Sequence, residues 1–575
     1  MDSACSRLLL SLTLAMPLAV VAQDPGRALR DAQSTQPFPE TKRAPSLTLE
    51  EMSRPPLEDS TGAKFALKQL RVTGATVFPE AELTHVVHQF IGSEVGLREL
   101  ERAAAEITNF YRERGYLVAR AYVPAQEIRD GSVEILVLEG RIGNVVVNVD
   151  GRRTRIDQRR AQQYVTQSVA VGDVVRDEDV ERGLLLLNDL PALEVRSTLQ
   201  PGASVGTSDL IVEAEGRSLF DGSVDADSYG SRYTGQFRMG GTVNFNNPLG
   251  WGDVLSLRGL TTDTGDMRFG RLAYTAPVNT HGTRVGVAYT YVDYEIGKDF
   301  KYLNAHGDAR VASAYALHPF FRSRTFSLYG SIGYDRKWYR SELNNESASD
   351  KGARVWLFGV SGEMRDDFGG AGLNDFGINV FHGAEELDDS PDLFVDSLTA
   401  RTHGDFTRVS FNVSRLQDLT GLFSMRVALS GQRSSRNLNS SEQFTLGGPF
   451  GIRAWPQGEA SGDQGLLGNV ELHWDRTLQW GPSNLQLLAF FDIGRIELHK
   501  DTWNGWQGNN SQLRNEYTLY GAGLGANYSS LDDFSVRMSY GWQLSSNPGR
   551  DILGRDSDNT SRDGHFWLQA MKWFR

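Results

Sequence analysis

The chain has 575 residues, with 72 acidic against 59 basic side chains and a formal net charge of −13, a balance that argues against nucleic acid as a partner. That length suggests several domains, and a mean hydropathy of −0.37 reads like that of a water-soluble protein. Beyond residue 22 no apolar run approaches the ~18 residues of a membrane helix; "GLLLLNDLPAL" (183–193) is interrupted by Asn188, Asp189 and Pro191. Two classes survive: a soluble exported protein, or an outer-membrane barrel whose alternating strands escape hydropathy averages.

In chain order, Arg7 precedes the apolar run "LLLSLTLAMPLAVVA", which ends at the small residue Ala22. A charged start, an apolar middle and a small-residue cleavage point predict a secretory signal over 1–22. The single cysteine, Cys5, lies before that run, so the predicted mature chain has no disulfide and is not a small stapled scaffold. Residues 23–62 are polar and proline-rich. Asp24-Pro25 before "GRALRDAQ" predicts a short capped helix, and the rest an extended linker.

Residues 63–141 and 142–216 each predict strand, helix, helix, strand, strand, an internal repeat of two small α/β modules. The first runs through "FALKQLRVTG", two amphipathic helices and "GSVEILVLEG"; the second runs from "IGNVVVNVDG" to "SDLIVEAEG".

Over 217–575 the apolar period becomes two. In "FSVRMSYGW", Phe534, Val536, Met538, Tyr540 and Trp542 share one face, and Ser535, Arg537, Ser539 and Gly541 the other. About sixteen such segments of roughly ten residues follow, the length a tilted strand needs to cross a bilayer. Their connections alternate: "NNPLGWGD", "PVNTHGT", "FFRSR" and "DFGGAG" are brief, while "RSELNNESASDKGA", "LHKDTWNGWQGNNSQLRNE" and "SSNPGRDILGRDSDNTSRDG" are long and polar. Short turns on one side and long loops on the other predict a transmembrane antiparallel β-barrel with an external loop side.

Between the eleventh and twelfth segments, 434–463 breaks the alternation and carries most of "LGGPFGIRAWPQGEASGDQG" (446–465). A glycine-rich loop with one central cation, Arg453, is suited to folding into a wide lumen, where its charge needs a carboxylate. In "LQLLAFFDIGRI", Asp492 and Gly494 share the polar face, so Asp492 is the candidate partner and Gly494 leaves room for the loop. On the residues alone the alternative stays open, that Asp492 is one of many lumen charges and Arg453 meets solvent.

At these residues the chain resembles the two-partner secretion transporters of the outer membrane, the haemolysin and filamentous-haemagglutinin secretion/activation family of the Omp85 superfamily. Ile452-Arg453-Ala454-Trp455 stands at the family's Val-Arg-Gly-aromatic motif, preceded by Gly447 and Gly448. Ser461-Gly462-Asp463-Gln464-Gly465 stands at its Ser-Gly-Asp-Arg-Gly run, and Phe490-Phe491-Asp492-Ile493-Gly494 supplies its Phe-x-Asp-x-Gly motif. "YRERGYLVARAYVPAQEIRDGSVEILVLEGRI" is similar to the family's first POTRA pattern. Ala454 departs from the motif's glycine and resists a positive φ.

The resemblance implies two periplasmic POTRA domains, a sixteen-stranded barrel, and a pore-loop site of Gly447, Gly448, Ile452, Arg453, Ala454, Trp455, Ser461, Gly462, Asp463 and Gly465 facing Phe491, Asp492 and Gly494 on the wall. It implies export of an unfolded exoprotein (adhesin, haemolysin or contact-dependent toxin) encoded nearby, with the helix near Asp24–Gln33 plugging the resting pore. Outer-membrane lipid and the barrel-assembly machinery are the other expected partners, with no cofactor and no metal. An Omp85-type assembly factor is the alternative.

Other motifs carry less. "GAGLGAN" (521–527) imitates a nucleotide loop but lies in a strand pattern. His473 and Ser430 face the lumen without a marked catalytic setting, and Asp551, Asp556, Asp558 and Asp563 lack EF-hand spacing. No Cys/His set for zinc and no Walker motif is present, so this chain supplies no ATP hydrolysis to export.

Overall fold

The computed structural model describes residues 24–33, 45–49, 64–151, 154–387, 390–478, 483–508, 510–530 and 533–574. The expected signal, 1–22, and most of the linker lie outside the described residues. Sixteen antiparallel strands close into a barrel, from Phe220–Asp227 to Gly564–Phe574. Closure is made by the first and sixteenth strands, in register from Gly222↔Phe574 to Asp227↔Gln569. In lipid every backbone polar group needs a partner within the protein, and closure removes the two free edges.

The alternation sorts as the period predicts. On the thirteenth strand, Ser483–Glu497, Leu487, Phe491 and Ile493 face outward while Phe490, Asp492 and Ile496 are buried inside. Two expectations need correction. "RSELNNESASDKGA" is not a long loop: the seventh strand runs Phe326–Leu343, the eighth Glu346–Asp366, and only Asn344-Asn345 turn between them, both at positive φ (51° and 64°). A two-residue hairpin of that kind is where Asn is favoured. These strands, at 18 and 21 residues, far exceed the expected ten and raise a wall beyond the membrane. Nor is the lumen polar throughout: Leu260, Phe269, Val292, Tyr294, Val311 and Tyr339 form a buried apolar patch inside it.

That patch is covered by helix α1, Pro25–Gln33, capped by Asp24, whose Oδ1 accepts from Arg27 N at 2.9 Å. Ala28, Leu29 and Ala32 pack onto the patch, so the helix lies within the barrel. Arg238, on the second strand (Arg238–Asn246), donates to Asp31 O at 2.7 Å and is ion-paired with Asp227 at 2.7 Å, both side chains fully buried.

Two α/β modules precede the barrel. In the first, α2 (Glu80–Val86) and α3 (Leu97–Glu113) cover a sheet of Gln69–Thr73, Ser132–Leu138 and Arg120–Tyr122 around a core that includes Ile107 and Ile135. Glu139 closes this core, accepting from Thr76 N (2.6 Å), Val77 N (2.7 Å) and the Tyr111 hydroxyl (2.9 Å). Burial pushes the Glu139 carboxyl up, but the Thr76 hydroxyl, which also donates to it, and those donors together outweigh it and hold it below the usual range.

In the second module, α4 (Gln158–Thr166) and α5 (Asp177–Asn188) cover Leu193–Pro201, Thr207–Gly216 and Arg141–Val149. A fourth strand joins the sheet at Leu193–Pro201, the linker segment Ser46–Leu49, paired parallel in register Ser46↔Arg196 to Leu49↔Leu199. The module is fixed to the barrel's short turns. Asp189 takes Arg322 in a two-pronged pair at 2.9 Å each, and its carbonyl accepts from Arg284 at 2.6 Å. Leu190 fills the space left by Gly252, where an added Cβ would come within 2.8 Å of it.

Candidate functional site: an inward loop clamped to the wall

The chain between the eleventh strand (Phe423–Ser434) and the twelfth (Gln464–Leu478) forms a hairpin whose neck is the ladder Phe444–Thr445 with Ser461–Gly462. Backbone bonds shape its tip: Gly447 N donates to Glu459 O at 3.0 Å, Ile452 N to Leu446 O at 2.7 Å, and Trp455 N to Ile452 O at 3.0 Å. Gly448 supplies a positive φ of 125° in the turn, a conformation costly for other residues. Leu446, Ile452, Ala454 and Trp455, all at 0% exposure, pack with Ile496 and Leu519 of the wall, so the tip is held inside.

Arg453 sits at the centre of that tip. Its Nε donates to Asp492 Oδ2 at 2.9 Å, its NH2 to Oδ1 at 2.7 Å, and its backbone N to Oδ2 at 3.0 Å. Asn469 Nδ2 donates to Asp492 Oδ1 at 2.8 Å, so this fully buried carboxylate is satisfied on both oxygens. The remaining guanidinium arm donates to Glu471 Oε1 at 2.6 Å, and the Arg453 carbonyl accepts from Trp567 Nε1 at 2.7 Å. A planar fork meeting two carboxylates is a geometry Lys cannot copy.

The wall is cut away where the loop touches it. A Cβ at Gly494 would lie 2.5 Å from Leu446 Cδ2, and one at Gly521 would lie 2.4 Å from the Ala454 Cβ. A Cβ at Gly541 would meet Ala454 N at 2.7 Å. Ala454 itself keeps a negative φ, so the departure from glycine carries no backbone strain here. Gly521, from the nucleotide-loop mimic, thus lies in the fourteenth strand (Glu516–Ser530) as packing space for the loop.

The second motif ties down the neck rather than the tip. Asp463 Oδ1 accepts from Leu438 N at 3.0 Å and Oδ2 from Lys500 N at 2.9 Å. Ser461 Oγ bonds Thr445 Oγ1 at 2.9 Å. A Cβ at Gly462 would strike Glu497 O at 2.3 Å, and one at Gly465 would strike Phe444 Cδ1 at 2.4 Å.

One expected wall residue is misplaced: Phe491 faces outward at 40% exposure, and the aromatic under Arg453 is Phe490, 3.5 Å from the guanidinium carbon to the ring centre. Strand alternation requires this, because Asp492 and Phe490 share a face and Phe491 does not. Glu471 and Trp567 reach Arg453, and Asn469 reaches Asp492, across strands, with no sequence spacing to signal it.

The discounted candidates do not assemble. His473 Nε2 bonds Glu471 Oε2 at 2.9 Å and pairs in register with Ser424, six residues along the strand from Ser430 and so roughly 20 Å from it. Asp551 and Asp556 are held by Arg555 and Arg550, each at 2.8 Å. The site is therefore a mechanical clamp built from charge, aromatic stacking and missing side chains.

The family model described as "Haemolysin secretion/activation protein ShlB/FhaC/HecB" matches residues 206–528, and a ShlB-type POTRA domain model matches 65–140. The chain is 26% identical to a heme/hemopexin transporter protein, HuxB, of Haemophilus influenzae over 97% of this chain and 96% of that one. It is 24% identical to the outer membrane transporter CdiB of Dickeya dadantii over 84% of each. The solved structure of CdiB from Escherichia coli superposes with a TM-score of 0.72 at 21% identity, covering 96% of this chain and 99% of that one.

Proposed function

This chain belongs to the haemolysin secretion/activation family, the outer-membrane transporters of two-partner secretion, and on that premise we propose that its clamped loop and lumenal helix are the closed state of an export pore. The barrel spans the outer membrane and the POTRA modules stand in the periplasm. The family works with large secreted exoproteins. The cargo here is a single large exoprotein encoded beside this chain, of the adhesin, haemolysin or contact-dependent toxin class, and the periplasmic module over 142–216 is its reception site. Outer-membrane lipid surrounds the barrel, and the barrel-assembly machinery inserts it.

The observation that carries the reading is the double occupancy of the lumen. Arg453 of the loop is bonded to Asp492 of the wall, while α1 covers the apolar patch opposite. A barrel built for free diffusion of solutes gains nothing by filling itself with two inserts. The edge strand Leu193–Pro201 carries the linker Ser46–Leu49, so an extended cargo segment adding to that edge has to take the linker's place. Displacing the linker would then pull on α1, which precedes it in the chain. The energetic bias for export comes from folding of the cargo outside.

The test is a clean deletion in the native host. The expected outcome is loss of one large protein from the culture supernatant with other outer-membrane barrels at normal levels. An unchanged supernatant together with depleted barrels would transfer the reading to an assembly factor.

A further inference from the structure

The loop has a second charged anchor, eleven residues before Arg453 and on another part of the wall. Glu442 ends a short turn, Ser440–Glu442, and its side chain is fully buried. Its Oε2 accepts from Arg408 Nε at 2.9 Å, and Arg408 is on the tenth strand, Gly404–Thr420. Its Oε1 accepts from Lys337 Nζ of the seventh strand, a cation only 11% exposed. Arg408 in turn lies flat on Phe381, 3.5 Å from ring centre to guanidinium carbon. Gln432 Nε2 donates to the Glu442 carbonyl at 2.8 Å, which fixes the main chain at the same point.

What rests on this anchor is α1. A Cβ on Gly26 would lie 2.7 Å from the Ser441 Cβ and 2.8 Å from Ser441 N, so the helix touches the turn backbone to backbone and only glycine fits. Arg30 donates to the Gln443 carbonyl, and Gln457 Nε2 reaches Asp31 Oδ1 at 2.7 Å from the loop tip. The helix therefore sits on two stretches of the loop, one held at Glu442 and one near Arg453.

We propose that Glu442 is a positioning residue for the helix: its ion pairs with Lys337 and Arg408 hold the turn on which α1 is seated, independently of the Arg453–Asp492 clamp. The proposal rests on reading α1 as a pore stopper, and the two can fail separately. Without Glu442 two buried cations lose their shared counter-charge, and the turn loses the ion pairs that hold it to that wall. The loop tip stays in place, because its own partners are on the twelfth and thirteenth strands.

The experiment is planar-bilayer recording of the full-length chain against Glu442→Gln, Lys337→Glu and the exchange Glu442→Lys with Lys337→Glu. Glu442→Gln is expected to raise the open fraction at least five-fold with the folded barrel's heat resistance on gels retained, and the exchange to bring it back only in part, because a lysine at 442 then faces Arg408. A second arm repeats Glu442→Gln in a chain lacking residues 24–33, where no further increase is expected. A folded Glu442→Gln barrel with unchanged current overturns the proposal, as does a further increase without the helix. If removing 24–33 itself leaves the current unchanged, the stopper reading fails instead.

Discussion

Arg453 makes its bonds to two carboxylates, and this alters what mutagenesis should show. Asp492→Ala leaves a buried guanidinium with Glu471 alone, and breaking such a pair costs on the order of 3–5 kcal/mol when no partner remains. The lower end is expected here, read as a fall in the temperature at which the barrel unfolds on gels. Exchanging the charges, Arg453→Asp with Asp492→Arg, restores the pair but sets the carboxylate now on the loop against Glu471. Export, measured as cargo in the supernatant, should therefore recover only in part, and further when Glu471→Gln is added; full recovery from the exchange alone would mean Glu471 contributes nothing. The Arg–Asp pairing was one of two readings the residues left open, since a cation in a glycine-rich loop demands a partner but Asp492 is one of many lumen charges; the motif resemblance singled it out. Phe490 was legible too, because it shares the face of Asp492 on one strand, but Glu471 was not, since a single sequence gives strand faces but not the register that brings neighbouring strands together.

At the scale of elements, alternation revealed the strands within the lipid, where apolar and polar faces contrast. It failed for the upper parts of the seventh and eighth strands, which stand in water on the outside and carry polar residues on both faces, so "RSELNNESASDKGA" looked like a loop. It also missed the apolar patch under α1, because inward Val292 and Tyr294 sit among outward Tyr289 and Tyr291 and blur the period. In the first periplasmic module, Glu139 binds the loop at Thr76–Val77 to the last strand of its sheet. Its carboxyl titrates below the ordinary value of roughly 4.3, so its stabilisation is complete above that pH and is lost as pH falls through the depressed value. Glu139→Gln should weaken the module at neutral pH and flatten its acid sensitivity, checked by amide exchange over 132–138 between pH 7 and pH 3. Equal acid sensitivity in both proteins would remove Glu139 from the account.

For the whole molecule, the junction between the second periplasmic module and the barrel is bridged where Asp189 meets Arg322 and Arg284. These contacts join residues far apart in the chain, and nothing in either segment advertised them. Asp189→Ala removes both prongs of the pair while the Asp189 carbonyl remains. The expected result is a broadened distance distribution between spin labels on the module and the barrel rim, reduced export, and normal barrel insertion. A distribution as narrow as that of the parent chain would show that packing of Leu190 against Gly252 suffices.

Under the proposed reading, the chain that joins α1 to the periplasmic sheet sets how far the helix can withdraw. Gln33 ends the helix and Pro45 precedes the strand that joins the periplasmic sheet, so the two are separated by twelve peptide steps and by at most about 43 Å of fully drawn chain. Once cargo has passed and Ser46–Leu49 has regained its edge, a helix still outside its seat cannot diffuse away, and its local abundance near the channel mouth is in the millimolar range typical of short leashes. On that reading resealing is a first-order event, independent of how many copies the cell makes, and leakage after each passage is limited by the leash.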